Sequence, residues 1–288
     1  MQPEERALSF ACGGEWLYGV LSLPAQAPQV ARRGVLIVVG GPQVRTGSHR
    51  QFTLLARSLA RAGIPAMRFD YRGMGDSEGA PRDFEQVQDD LRAAIDCFMA
   101  QVPGLTEVTL WGLCDGASAA AMYAPGDPRV AGLALLNPWV RTESGAAKAT
   151  LKHYYRSRLL SPELWKKVAS GRFDAGQAAT SFVAQVRAAF GRQAPAAQQA
   201  EDTPAAPLPE RMHAALQRFG GKVLVMLSGA DLTAQEFAGL SSGSHDWERL
   251  LAAPRVTCHT LPGADHTCSR REWHEQVVAW TAAWLRSA

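Results

Sequence analysis

A cysteine stands between two glycines in Gly112-Leu113-Cys114-Asp115-Gly116, behind the apolar run Thr106–Gly112 and ahead of the small residues Ala117-Ser118-Ala119-Ala120-Ala121. A thiol on a sharp strand-to-helix turn needs neighbours without side chains two positions before and after it, because the turn presses them onto nearby backbone. Gly112 and Gly116 meet that need, and an inert buried cysteine would have no use for them. The helix that follows would turn its positive end toward the sulfur and favour negative charge there. Cys114 is therefore read as a nucleophile.

A free thiol, with a pKa of about 8.5, needs a base or a cationic neighbour to react fully near neutral pH. For a nucleophile on this kind of turn, the acid and then the histidine follow along the chain. The segment Val223–Phe237 places Asp231 just past Ser228-Gly229, beyond the next-to-last expected strand. The segment His259–Ser269 places His266 in the loop after the last strand. Asp231 would fix the imidazole tautomer and His266 would serve the sulfur. His245, His259 and His274 lie before, within and after the last strand rather than in its exit loop, so they are set aside. So are Asp265, the chain neighbour of His266, and Asp246, in a polar stretch.

Acyl transfer also needs donors for the developing oxyanion. The backbone N–H of Asp115 is one. The loop Gly40-Gly41-Pro42-Gln43 should supply the other, and since proline has no N–H, the choice lies between Gly41 and Gln43. The same loop continues to Arg45, His49 and Arg50, which either hold an anionic part of the substrate or face solvent.

The elements that must carry these residues follow an α/β rhythm. Ala7–Cys12 and Glu15–Pro24 read as an antiparallel pair turning at Gly13-Gly14. Six further strands are expected at 34–39, 64–73, 107–112, 130–138, 222–229 and 255–263, the first of them apolar throughout, as in a strand buried on both faces. Helices are expected over 52–63, with Phe52, Leu55 and Leu59 on one stripe, over the spacing Phe84, Val87, Leu91, Ile95 and Phe98 behind an Asp83 cap, and over Trp273, Val277, Trp280 and Trp284. The result is a mostly parallel eight-stranded sheet with helices on both faces. Its core takes residues 1–137 and 221–288, and 138–220 form a helical lid inserted between two strands.

Composition narrows the partners. The 288 residues suffice for one large core. With 30 basic and 27 acidic side chains the net charge is +3, too even to argue for nucleic acid or a membrane surface. No apolar run approaches the roughly 20 residues of a bilayer span, and the acidic start carries no signal-peptide pattern. Five scattered cysteines without a CxxC pair favour a reducing, cytoplasmic setting and no structural zinc. No metal or cofactor is expected; the partner is a small-molecule acyl substrate. The stretch Gly40–Ser48 lacks the lysine of a phosphate loop, and the glycines of 73–79 are spaced one residue too long for a dinucleotide fingerprint.

Phe69–Ser77, with Asp70, Arg72, Gly73, Gly75 and Ser77, resembles the Asp-x-Arg-Gly-x-Gly-x-Ser signature of the α/β-hydrolase superfamily, and the resemblance extends over nearly the whole chain. The cysteine elbow is similar to that of dienelactone hydrolases, which implies the triad roles for Cys114, Asp231 and His266. The stretches Val38–Phe52, Met67–Gly79 and Leu110–Ala120 together resemble the bacterial exosortase A system-associated hydrolase 1 group. That group takes its name from genes of protein sorting and exopolysaccharide synthesis. The chain differs from the wider family in carrying Gly-Gly-Pro for His-Gly and cysteine for serine. The expected function is hydrolysis of an activated ester, lactone or thioester. An acyltransferase and a non-catalytic binding protein on the same fold are the alternatives.

Overall fold

The structure, a computed structural model, describes residues 2–25, 32–41, 43–140 and 206–287. Its centre is a strand apolar on both sides. In β3 (Arg33–Val38) and the residue after it, Val35, Ile37 and Val39 point to one face of the sheet, and Leu36 and Val38 to the other. Each face must be covered by an amphipathic helix, since fully burying one such side chain is worth about 1.5–3 kcal/mol.

On the first face α1 (Gln51–Arg61) brings Phe52, Leu55 and Leu59, and α7 (Arg271–Ser287) brings Val277, Trp284 and Leu285. On the second, α2 (Gln88–Gln101) brings Leu91, Ile95 and Phe98, and α3 (Asp115–Tyr123) its run of alanines. Also packed into that second cluster are Met212 and Leu216 of α4 (Leu208–Arg218), Phe237 of α5 (Leu232–Ser241) and Trp247 of α6 (His245–Leu251).

The remaining strands are β1 (Glu4–Cys12), β2 (Glu15–Leu23), β4 (Ala66–Phe69), β5 (Glu107–Leu113), β6 (Val130–Leu136), β7 (Lys222–Ser228) and β8 (Val256–Leu261). The eight lie in the order β1-β2-β4-β3-β5-β6-β7-β8. β2 runs antiparallel to both neighbours, and all other pairs are parallel. The first hairpin turns at Gly13 and Gly14, both at positive φ (60° and 89°), the backbone that a tight two-residue hairpin requires.

Three local readings change. Asp83 caps a turn rather than a helix: its side chain accepts the Glu85 N–H at 2.8 Å, its carbonyl accepts that of Gln86, and α2 starts only at Gln88. Leu232–Ser241 is a helix that no apolar stripe announces. The core also reaches beyond its expected boundary: one unit comprises residues 1–140 and 209–288, the other 141–208. The physical reason is burial, because Val140, Met212, Leu216 and Phe219 all lie in the second-face core, which draws 209–220 out of the expected lid. Of that lid, residues 141–205 lie outside the described residues. Among the described residues no helix is long and apolar enough to cross a membrane.

Candidate active site

β5 ends at Leu113 and α3 begins at Asp115, so Cys114 alone makes the turn, at φ 59° and ψ −127°. Holding a non-glycine residue at such a backbone costs on the order of 1–3 kcal/mol and requires firm surroundings. They are supplied. The Cys114 N–H donates to Leu136 O at 3.0 Å, and its carbonyl accepts from the N–H groups of Ala117 at 3.0 Å and Trp139 at 3.1 Å. The flanking glycines prove sterically obligatory. A Cβ on Gly112 would lie 2.5 Å from Gly116 O, and one on Gly116 would lie 2.6 Å from Val38 O. The alanines of α3 let the helix settle against β3 and β5, which leaves the sulfur partly exposed at the strand ends.

His266 and Asp231 arrive from the ends of β8 and β7. Asp231 is the N-cap of α5, where Oδ2 accepts the Ala234 N–H at 2.9 Å. The same Oδ2 lies 3.0 Å from Nδ1 of His266, although the ring N–H is turned off the line between them. The Cys114 side chain also acts on the ring. Asp231 first, then Cys114, hold a proton on His266 and push its pKa up to about 10, against the opposing effect of burial. The three residues read from the sequence as nucleophile, base and acid are thus brought together.

One positioning residue had no local sequence signal. Asn137, fully buried at the end of β6 with φ 48°, donates from Nδ2 to Ser228 Oγ at 3.0 Å and to His266 O at 3.0 Å. Its Oδ1 accepts the Ser228 N–H at 2.8 Å. A single amide therefore ties the strand that carries Asp231 to the loop that carries His266.

The oxyanion side is built on close backbone approach. A Cβ on Gly40 would fall 2.3 Å from Asp115 Oδ1, so only glycine lets the loop after β3 come this near. The Asp115 carboxylate accepts the Gly116 N–H at 3.0 Å, and the N–H groups of Gly41 and of Asp115 itself also serve it. Burial raises the Asp115 pKa, and these three amides oppose the rise. Two of the expected oxyanion donors, Asp115 and Gly41, therefore lie beside the Asp115 carboxylate. Gln43, the other candidate, uses its side-chain oxygen to accept from Ser48 N at 3.4 Å and Gln51 Nε2 at 3.2 Å.

Arg45 does not present a free cation to a substrate, which corrects the expectation placed on it. Its guanidinium pairs with the buried Asp70 and with Asp76. The Asp-x-Arg-Gly signature forms a clip of this kind throughout: Ser77 Oγ donates to Asp70 O at 2.8 Å, and Arg72 holds the buried Asp90 through its backbone N–H, Nε and Nη2. His49 and Arg50 do face a cleft together with Thr267 of the His266 loop. The histidines and acids set aside are occupied elsewhere. His245 lies beside Glu248, His259 stacks on Trp280, His274 meets Gln51 O, Asp265 accepts from Ser269, and Asp246 lies 3.8 Å from Arg249. Among the described residues no group of three or more His, Cys, Asp or Glu could hold a metal ion.

A nucleophile, an acid and a histidine carried at the C-terminal ends of parallel strands, with a glycine loop opposite, define the class of α/β hydrolases. The sequence profile of the alpha/beta hydrolase family matches residues 35–280, and the chain belongs to that family. Among solved structures, an esterase from Pyrococcus furiosus is similar at 14% identity, covering 99% of this chain and 91% of that one, with a TM-score of 0.63. Dienelactone hydrolase from Anabaena variabilis is similar at 16% identity, covering 100% and 99%, with a TM-score of 0.62. A proline iminopeptidase from Mycobacterium smegmatis shares 19% identity over 98% of each chain, with a TM-score of 0.60. A search of curated protein sequences finds no match.

Proposed function

We propose that this hydrolase cleaves an activated ester, a lactone or a thioester through Cys114, His266 and Asp231, by way of a thioester acyl-enzyme. The observation that carries the reading is the contact of one imidazole with both the Cys114 side chain and the Asp231 carboxylate. The sulfur attacks the acyl carbon, and the carbonyl oxygen gathers negative charge against the amides of Asp115 and the Gly41–Gln43 loop. One well-placed donor there is worth about 3 kcal/mol, roughly a hundredfold in rate. His266, held cationic, gives its proton to the departing alcohol or thiol. The neutral ring then takes a proton from water, which attacks the thioester and releases the acid and the thiol.

The substrate class follows from the leaving groups. A thiolate leaves more readily than an alkoxide, so an intermediate formed from a plain alkyl ester collapses back to substrate. An activated ester, a strained lactone or a thioester lets the reaction go forward. The likeness of Val38–Phe52, Met67–Gly79 and Leu110–Ala120 to the exosortase-associated group supports a role beside protein sorting or exopolysaccharide synthesis.

Intact mass after exposure to a panel of thioesters and activated esters tests the reading. The expected result is one acyl mass on the native protein, absent from Cys114→Ala, and its release in water. Release only when a sugar acceptor is added makes the protein an acyltransferase instead. No adduct from any ester, with turnover unchanged in Cys114→Ala, overturns the proposal.

A further inference from the structure

A cleft of about 450 Å³ opens between one face of α1 and the start of α7. Four arginines line it: Arg50 and Arg61 at the two ends of α1, and Arg270 and Arg271 at the beginning of α7. Only one acidic residue, Glu275, lines it with them. The local excess of three positive charges equals the formal net charge of the whole chain, +3.

These guanidiniums are not consumed by the fold. Among the described residues Arg50, Arg61 and Arg271 form no ion pair, as Arg32, Arg82, Arg92, Arg218, Arg255 and Arg286 form none elsewhere, but only in this cleft do three such arginines line one cavity. Arg270 lies 3.9 Å from Glu272, at the limit of a pair, and rests over the Trp273 ring at 4.6 Å. His49 and Arg50, consecutive residues at φ 54° and 62°, both line the cleft from a backbone that side chains seldom adopt. Unpaired like charges repel, and a protein that gathers them gains nothing from their nearness until an anion arrives.

We infer that this cleft binds a phosphorylated ligand through a phosphomonoester or diphosphate group. The class is set by charge and shape. A carboxylate or a sulfate ester carries a single negative charge, less than Arg50, Arg61 and Arg271 leave uncompensated with Glu275 beside them. A phosphate monoester carries about −1.5 to −2, and its oxygens match the guanidinium fork. The volume falls within the range of small-molecule sites, roughly 300–1,000 Å³, so the anion has room for the organic group that bears it. Thr267 lines the cleft next to His266, which places the anchored group beside the loop of the candidate triad. The phosphate belongs either to the acyl substrate or to a separate effector.

Titration with pyrophosphate, followed by calorimetry and by Trp273 fluorescence, tests the inference on the whole chain. Saturable one-to-one binding is expected, at least about tenfold weaker in Arg61→Ala/Arg271→Ala with unchanged circular dichroism. Cys114→Ala should bind as the native protein does, since Cys114 does not line the cleft, so failure of the proposed chemistry would leave this result standing. If pyrophosphate slows hydrolysis of a phosphorylated thioester but not of a neutral activated ester, the group belongs to the substrate. If it alters both equally, it belongs to an effector. Either result supports the site. Absence of saturation, equal binding by the double variant, equal binding of sulfate, or tighter binding of a single-stranded oligonucleotide overturns it.

Discussion

Gly116→Ala probes the elbow with a single methyl group, and its effect can be worked out from contacts. The new Cβ would lie 2.6 Å from Val38 O, 2.9 Å from Val39 C and 3.0 Å from Gly40 N. All three are backbone atoms of β3 and the loop after it, so no rotamer change relieves them. Reaching an ordinary separation of about 3.5 Å requires the carbonyl and the elbow to part by roughly 1 Å. Two costs follow. Overpacking of this kind typically removes about 1–3 kcal/mol of stability. The displaced stretch leads directly into the Gly40–Gly41 loop, so the oxyanion donors move away from the sulfur. A misplacement of about 1 Å can cost about a hundredfold in rate. The assay is therefore double: urea unfolding for the first cost, and the single-turnover acylation rate of Cys114 with an activated ester for the second. Alkylation by iodoacetamide, which needs the thiol but no oxyanion donor, should fall much less than acylation. A variant with native stability and native acylation would refute the steric account of the elbow. Equal losses in acylation and alkylation would refute the assignment of the Gly40–Gly41 loop as the oxyanion side.

Two further predictions concern the residues behind the sulfur. Because the folded pKa of His266 is raised from 6.5 to about 10, its protonated form stabilises the fold; that contribution is complete below about pH 6.5 and is lost as pH rises toward 10. The stability difference between the native protein and His266→Gln, measured by urea unfolding, should shrink steadily from pH 7 to pH 10, and a difference independent of pH would contradict the ion pair. Asp231→Asn keeps a good helix cap but removes the charge, whereas Asp231→Ala removes both. At neutral pH the asparagine variant should lose the stabilisation of the ion pair, a loss that fades toward pH 10, together with up to roughly 10⁴-fold in turnover, and the alanine variant should lose a further 0.5–2 kcal/mol or so of stability.

What could be read in advance was what depends on short stretches of chain. The elbow needs only five residues, and two of them must be glycine. His266 is identified by lying in the loop that leaves the last strand, and Asp231 by the same logic one strand earlier. What escaped depends on partners far along the chain. Asn137 acts on residues 91 and 129 positions later, and nothing in the run Val130–Asn137 marks it as more than a strand end. Arg45 looked like a free cation because Asp70 and Asp76, 25 and 31 residues on, meet it only in three dimensions.

Asp231 shows both limits in one side chain. Its place after β7 makes it the expected acid for the histidine, and the structure sets it beside His266, whereas its second duty, capping α5, has no apolar stripe to announce it. α5 buries Thr233, Ala234, Glu236 and Phe237, a face too mixed to stand out by hydrophobic spacing. Its start is fixed by the cap instead. The same oxygen that accepts the Ala234 N–H lies against the imidazole, so the rigidity of the helix N-terminus is passed to the histidine. With Asn137 holding the backbone carbonyl of His266 from the other side, the residue is fixed through its main chain while its Nδ1 stays 3.0 Å from the Asp231 carboxylate. Such a ring can shuttle a proton with little loss of orientation, provided the sulfur is held as firmly, and the strained, hydrogen-bonded turn at Cys114 meets that condition.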